Sequence, residues 1–141
     1  MRPAPLALVF CLSLAGAAVA AGVSVKDEMK TVIAPAFSTI SAVSVEVAQA
    51  HRPGAAKVPE ARWHAAVLAA QALKRSARNL IGPQKEPGAV WTKSAHDFAR
   101  LAAAAEAAAG KKDAAGFSTA ADALGQTCAT CHAKYKPKTG D

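Results

Sequence analysis

Residues 112–137 read KDAAGFSTAADALGQTCATCHAKYKP, and this stretch sets the fold class. Phe117, Ala121, Leu124, Cys128, Cys131 and Tyr135 recur at spacings of three and four, which puts them on one stripe of an α-helix starting near Lys112 or Asp113 and running to Pro137. The stripe closes on Cys128-Ala129-Thr130-Cys131-His132. On a helix Cys128 and Cys131 share a face and His132 lies one turn beyond Cys128, so the three side chains converge on one planar object. Cys-x-x-Cys-His is the attachment signature of a c-type haem, in which both thiols form thioethers to the vinyl groups and the histidine gives an imidazole nitrogen to the iron. Other uses of the motif fit less well. A redox Cys-x-x-Cys of thioredoxin type follows a strand and opens a helix, whereas no strand pattern precedes this one. Structural zinc needs paired ligand clusters, and no second Cys or His pair stands at finger spacing.

Three further helical segments precede this one, separated by proline and glycine. The first runs from about Val25 to Ala50, with Ser24 and Asp27 resembling a capping box and an apolar face of Met29, Ile33, Phe37, Ile40, Val43 or Ser44, and Val47. Pro35 falls inside it and should kink it. After His51-Arg52-Pro53-Gly54, the second starts at Pro59 as first helical residue and ends near Ile81, before Gly82-Pro83, with Trp63, Val67, Ala70, Leu73, Ala77 and Leu80 inward. The third starts around Gly88 and stops at Gly110, carrying Trp91, Ala95, Phe98, Leu101 or Ala102, and Ala105. Gly116 and Gly125 weaken the fourth helix and mark close approach to a neighbour or to the haem. Four amphipathic helices with short connections predict an all-α, antiparallel up-down-up-down four-helix bundle with one covalent haem.

The first twenty residues read as a secretory signal: Arg2 gives a charged start, Leu6 to Ala17 is nearly unbroken apolar, and Ala18-Val19-Ala20 offers small residues for cleavage. Cys11 leaves with it, since Phe10 is too bulky for a lipoprotein signal. Residues 21–141 then make one domain with no membrane span, located in the periplasm. Export and covalent haem support each other, because bacterial attachment takes place outside the cytoplasm. The formal net charge of +7 favours acidic partners. Nucleic acid is not expected, since aromatics are only 5% and the basic residues are spread over helical surfaces.

In the antiparallel arrangement residues 128–132 lie level with Met29, Leu80, Ile81, Val90 and Trp91, so the haem belongs at that end. His64 is about 25 Å away from it at the helical rise, and His51 sits in the opposite loop. Met29 has two readings, a thioether completing His/Met ligation or plain core packing. His96 stands at a tolerable height but on the edge of its helix's apolar face. Pro35 bears on the same question, because the bend it causes sets how closely the helix carrying Met29 approaches the iron, or merely curves that helix around the core.

Nearly the whole mature chain resembles the class II cytochromes c, the four-helix-bundle family that includes cytochrome c′. The resemblance rests on the export signal, the four helices, and the C-terminal Cys128-Ala129-Thr130-Cys131-His132 followed by Tyr135. It implies a helix-one methionine as distal ligand in low-spin members, the place taken here by Met29 in Met29-Lys30, and another apolar residue there in high-spin members. The segment from Met29 to Ala36, with Trp63, Asn79-Leu80-Ile81 and Trp91, is more similar to a less-characterised bacterial branch. Pro35 departs from the cytochrome c′ pattern, and no arginine stands near the start of helix one. Family members also pair into homodimers, which the alanine-rich helix faces here would allow.

The function expected is electron transfer by one haem, with Cys128 and Cys131 attaching it, His132 as axial iron ligand and Met29 as candidate for the other face. Lys26, Lys30, Arg78, Lys85, Lys93, Lys134, Lys136 and Lys138 gather at the haem end against Asp27, Glu28 and Glu86, a surface that would steer an acidic redox partner. The alternative is a five-coordinate protein that binds nitric oxide or carbon monoxide. Enzymatic chemistry is not expected, for want of a distal histidine and arginine.

Overall fold

The structure, a computed structural model, describes residues 24–82 and 88–136. The expected export signal with Cys11, and Pro83, Lys85, Glu86, Pro87, Pro137 and Lys138, lie outside the described residues. Among those described there are four long helices and no strand: α1 (Val25–Ala50), α2 (Glu60–Ile81), α3 (Ala89–Lys111) and α4 (Ala114–Tyr135). The chain is all-α, as the periodicity predicts.

Helix limits are set by local chemistry. Ser24 Oγ accepts the Asp27 N–H at 3.1 Å and starts α1. Pro59 takes extended backbone (φ −63, ψ 150) immediately before α2, so Glu60, not Pro59, is the first helical residue. The third helix passes the expected stop at Gly110 and ends only where Lys112 turns left-handed at φ 54. There the Lys112 N–H reaches the carbonyls of Ala108 and Ala109, which closes the open C-terminal turn without a glycine. Asp113 then caps α4, its carboxylate accepting the Gly116 N–H at 3.0 Å.

Packing uses the expected stripes. Ile33, Ile40, Val43 and Val47 of α1, Trp63, Leu73 and Leu80 of α2, Phe98, Leu101 and a run of alanines of α3, and Phe117 and Leu124 of α4 form one buried cluster. Trp63 meets Phe117 edge-on with ring centroids 5.6 Å apart. Each helix packs on the next in the chain, and α1 also on α4. The contacts join starts to ends. Arg62 near the start of α2 binds Glu46 near the end of α1, Trp91 at the start of α3 binds Leu80 at the end of α2, and Phe37 of α1 lies against Gly125 of α4.

The expected kink in α1 takes the form of a π-helical turn at Met29–Ile33. Pro35 has no N–H for the Thr31 carbonyl and its ring crowds that carbonyl, so the ladder slips by one and Ala34 N–H bonds to Met29 O. The slip corrects the predicted stripe. An α-helical residue advances about 100°, and one in the wider turn advances less, so everything before Ile33 is rotated relative to the rest of the helix. Glu28, five residues before Ile33, moves into the core and is 7% exposed, while Met29 is only half-buried. Glu28 is therefore a core residue, not part of the surface charge at this end. On α1 the flank carrying Glu46 faces α2 and the flank carrying Phe37 faces α4. The rotation turns Glu28 inward from the first flank and turns Met29 toward the second.

Candidate functional site

α4 delivers the two cysteines as a continuation of its core stripe. Phe117, Ala121 and Leu124 are buried, and Cys128, Cys131 and Tyr135, one to three turns on, are half-buried. Cys128 packs against the core. Burial pushes the Cys128 thiol above its ordinary range, with the neighbouring Cys131 adding to the effect, and burial raises Cys131 as well. Both are uncrosslinked thiols. His132 is exposed. Thr127 and Thr130 face the other way, into a groove of about 350 Å³ between α3 and α4 that Val90, Ser94 and Leu101 also line.

The ends of α2, α3 and α4 are tied together at this level. Trp91 Nε1 donates to Leu80 O at 2.8 Å, and its backbone N–H donates to Tyr135 Oη at 3.2 Å. The Trp91 and Tyr135 rings meet edge-on at 5.4 Å. Gly88 leaves room for the phenol, since a Cβ there would stand 3.0 Å from Tyr135 Oη. Val90 and Trp91 are half-buried, Leu80 is buried, and Ile81, expected beside them in the haem bed, is exposed.

The start of α1 leans the other way. Residues 25–33 pack on α2, and none of their Cα atoms lies within 8 Å of a Cα of α4. Ser76 Oγ, 1% exposed, donates to Glu28 Oε1 at 2.5 Å and joins α2 to this turn. From the contact between Phe37 and Gly125, Met29 is eight residues back along α1 and His132 seven forward along α4, about 12 Å and about 10 Å at the helical rise. The two therefore stand at nearly one height, on turns whose Cα atoms are more than 8 Å apart. Two thiols on a half-buried face, an exposed imidazole on the next turn, and a half-buried thioether at the same height on α1 form a donor set that fits a covalently held haem. His51, His64 and His96 are exposed. His64 follows Arg62, which pairs with Glu46 at the end away from the cysteines.

Lys26, Lys30, Arg78, Lys93, Lys134 and Lys136 are all exposed, with Lys93 paired to Asp97. The sequence reading places Glu28 among the surface charges and gives Ser76 no role. Asp27-Glu28 reads as an ordinary acidic first turn, and the available signal was the five-residue interval from Glu28 to Ile33 ahead of a mid-helix proline. No family model, curated protein or solved structure matches the chain.

Proposed function

We propose that this protein is a periplasmic, single-haem c-type cytochrome of class II kind that transfers electrons, its four helices forming an antiparallel up-down-up-down bundle. The observation that carries the reading is the placement of Cys128 and Cys131 on the core face of α4, at the height of Met29 in the π turn of α1. Cys128 and Cys131 would hold the haem covalently, and His132 and Met29 would be the residues offered to its iron. Bound there, the haem supplies a one-electron couple, with His/Met ligation raising its potential. Leu80, Trp91 and Tyr135 shield the site from water and brace the α4 turn that carries His132. In this reading α1, apolar over 26 residues, is a core helix, with Ile33, Ile40, Val43 and Val47 in the buried cluster. The six exposed cations near the site steer an acidic redox partner.

The test is the absorption spectrum of the holoprotein, oxidised and reduced, for wild type and Met29→Ala. A methionine-sulfur charge-transfer band that disappears in the variant supports electron transfer with His/Met ligation. A high-spin spectrum indifferent to the substitution removes Met29 as ligand and favours the gas-binding reading. Covalent haem retained in a Cys128→Ala, Cys131→Ala double variant overturns the attachment assignment.

A further inference from the structure

We infer that the buried hydrogen bond between Ser76 and Glu28 is a latch that fixes where Met29 stands relative to Cys128, Cys131 and His132; the inference rests on the proposed haem site. A buried carboxyl is costly unless its oxygens are hydrogen-bonded, so a glutamate 7% exposed in the first turn of a helix calls for an explanation. Position supplies it. Glu28 directly precedes Met29 and the π turn, and its Oε1 accepts from Ser76 Oγ at 2.5 Å on the neighbouring helix. The bond acts on two coordinates at once. It pulls residues 25–33 onto α2, which keeps their Cα atoms more than 8 Å from those of α4. It also holds the rotation that the extra residue of the π turn introduces, with Glu28 inward and Met29 on the flank it shares with Phe37, toward α4.

Pro35 alone does not impose this. Proline disrupts the ladder at the Thr31 carbonyl, but a helix can meet that by bending, by a water or by a π turn. Glu28 in the core favours the last, because in an unslipped helix it would stand on the half-exposed flank of Glu46, rotated away from the core in which Ser76 is buried. Glu28 and Ser76 are positioning residues. Neither is required to touch the haem or the iron.

The chain has two methionines, Met1 and Met29, so methyl-labelled methionine gives at most two signals, and Met29→Leu identifies the second. In a diamagnetic low-spin haem the porphyrin ring current displaces a methyl that faces it, and the reduced protein is in that state with Met29 bound or, where the sixth position is open, once carbon monoxide is added. In the reduced holoprotein the Met29 methyl is expected far from its free-chain position in wild type, to lose at least about half of that displacement in Ser76→Ala, and to keep it in Glu28→Gln, which retains the acceptor oxygen without the charge. An unchanged Met29 methyl in Ser76→Ala overturns the latch. Equal loss in Glu28→Gln overturns its assignment to the hydrogen bond. The sulfur charge-transfer band in wild type separates the two readings: if it is absent, Met29 ligation fails while the methyl displacement still judges the latch.

Discussion

At the scale of single residues, the two thiols carry a property that a free Cys-x-x-Cys-His peptide lacks. Burial holds both above their ordinary pKa, and Cys128 also feels the charge of Cys131. A raised thiol pKa means less thiolate at a given pH, and thiolate is the species that alkylates. In the haem-free chain, iodoacetamide should therefore label both residues more slowly than the corresponding peptide at neutral pH, with Cys128 lagging Cys131. The rates should rise at higher pH than in the peptide. Mass spectrometry across a pH series measures this, and peptide-like rates throughout would count against the half-buried placement. Phe117 makes a second residue-level case. It is fully buried and edge-on to Trp63, so Phe117→Ala should cost about 3–5 kcal/mol in urea unfolding.

Among elements, α4 shows that two glycines in one helix can have different reasons. A Cβ on Gly125 would meet Phe37 Cζ at 3.4 Å, an ordinary contact, so Gly125→Ala should keep the fold and gain roughly 0.5–1 kcal/mol of helix propensity. A Cβ on Gly116 would overlap the Asp113 carboxylate that caps the helix. There the same propensity gain is offset by a cap loss of similar size, about 1 kcal/mol. Thermal unfolding should rank Gly125→Ala clearly above Gly116→Ala, and equal melting temperatures would refute the distinction. The contrast also shows what was legible in the sequence. The helices and their apolar stripes could be read because Ile33, Leu73, Phe98 and Leu124 repeat with the helical period between Pro and Gly breaks. The cysteines could be read because their stripe continues Phe117 and Leu124. The turn at Met29–Ile33 was not legible, because a proline announces a disturbance without saying which form it takes, and the choice is made by a tertiary contact, Ser76 to Glu28. The end of α3 escaped for a similar reason. Gly110 can stay helical, and the stop comes from Lys112 adopting a left-handed turn that its side chain pairs with Glu60.

For the whole molecule, charge has two separable consequences. With the exposed cations Lys26, Lys30, Arg78, Lys134 and Lys136, association with the proposed acidic redox partner is expected to slow steeply as salt is added, whereas unfolding stability changes little; stopped-flow rates across a salt series measure it. Within the fold, Glu106 of α3 accepts from Lys74 and Gln71 of α2, and these bonds hold its carboxyl below the ordinary carboxylate range. A depressed pKa contributes stability at neutral pH, where the group is charged in both states, and loses it as pH falls through the folded-state value. Glu106→Gln should flatten the acid limb of the stability curve, and an unaltered limb would show that the α2–α3 pairing does not contribute. The link between Trp91 and Tyr135 reaches further than either helix end. Because the Tyr135 phenol oxygen takes an amide hydrogen in the first turn of α3, the last turn of α4 cannot peel away without uncapping α3. Amide exchange should therefore show these two chain segments opening together as one cooperative unit, and any maturation machinery that needs slack chain around Cys128 and Cys131 must borrow it from both.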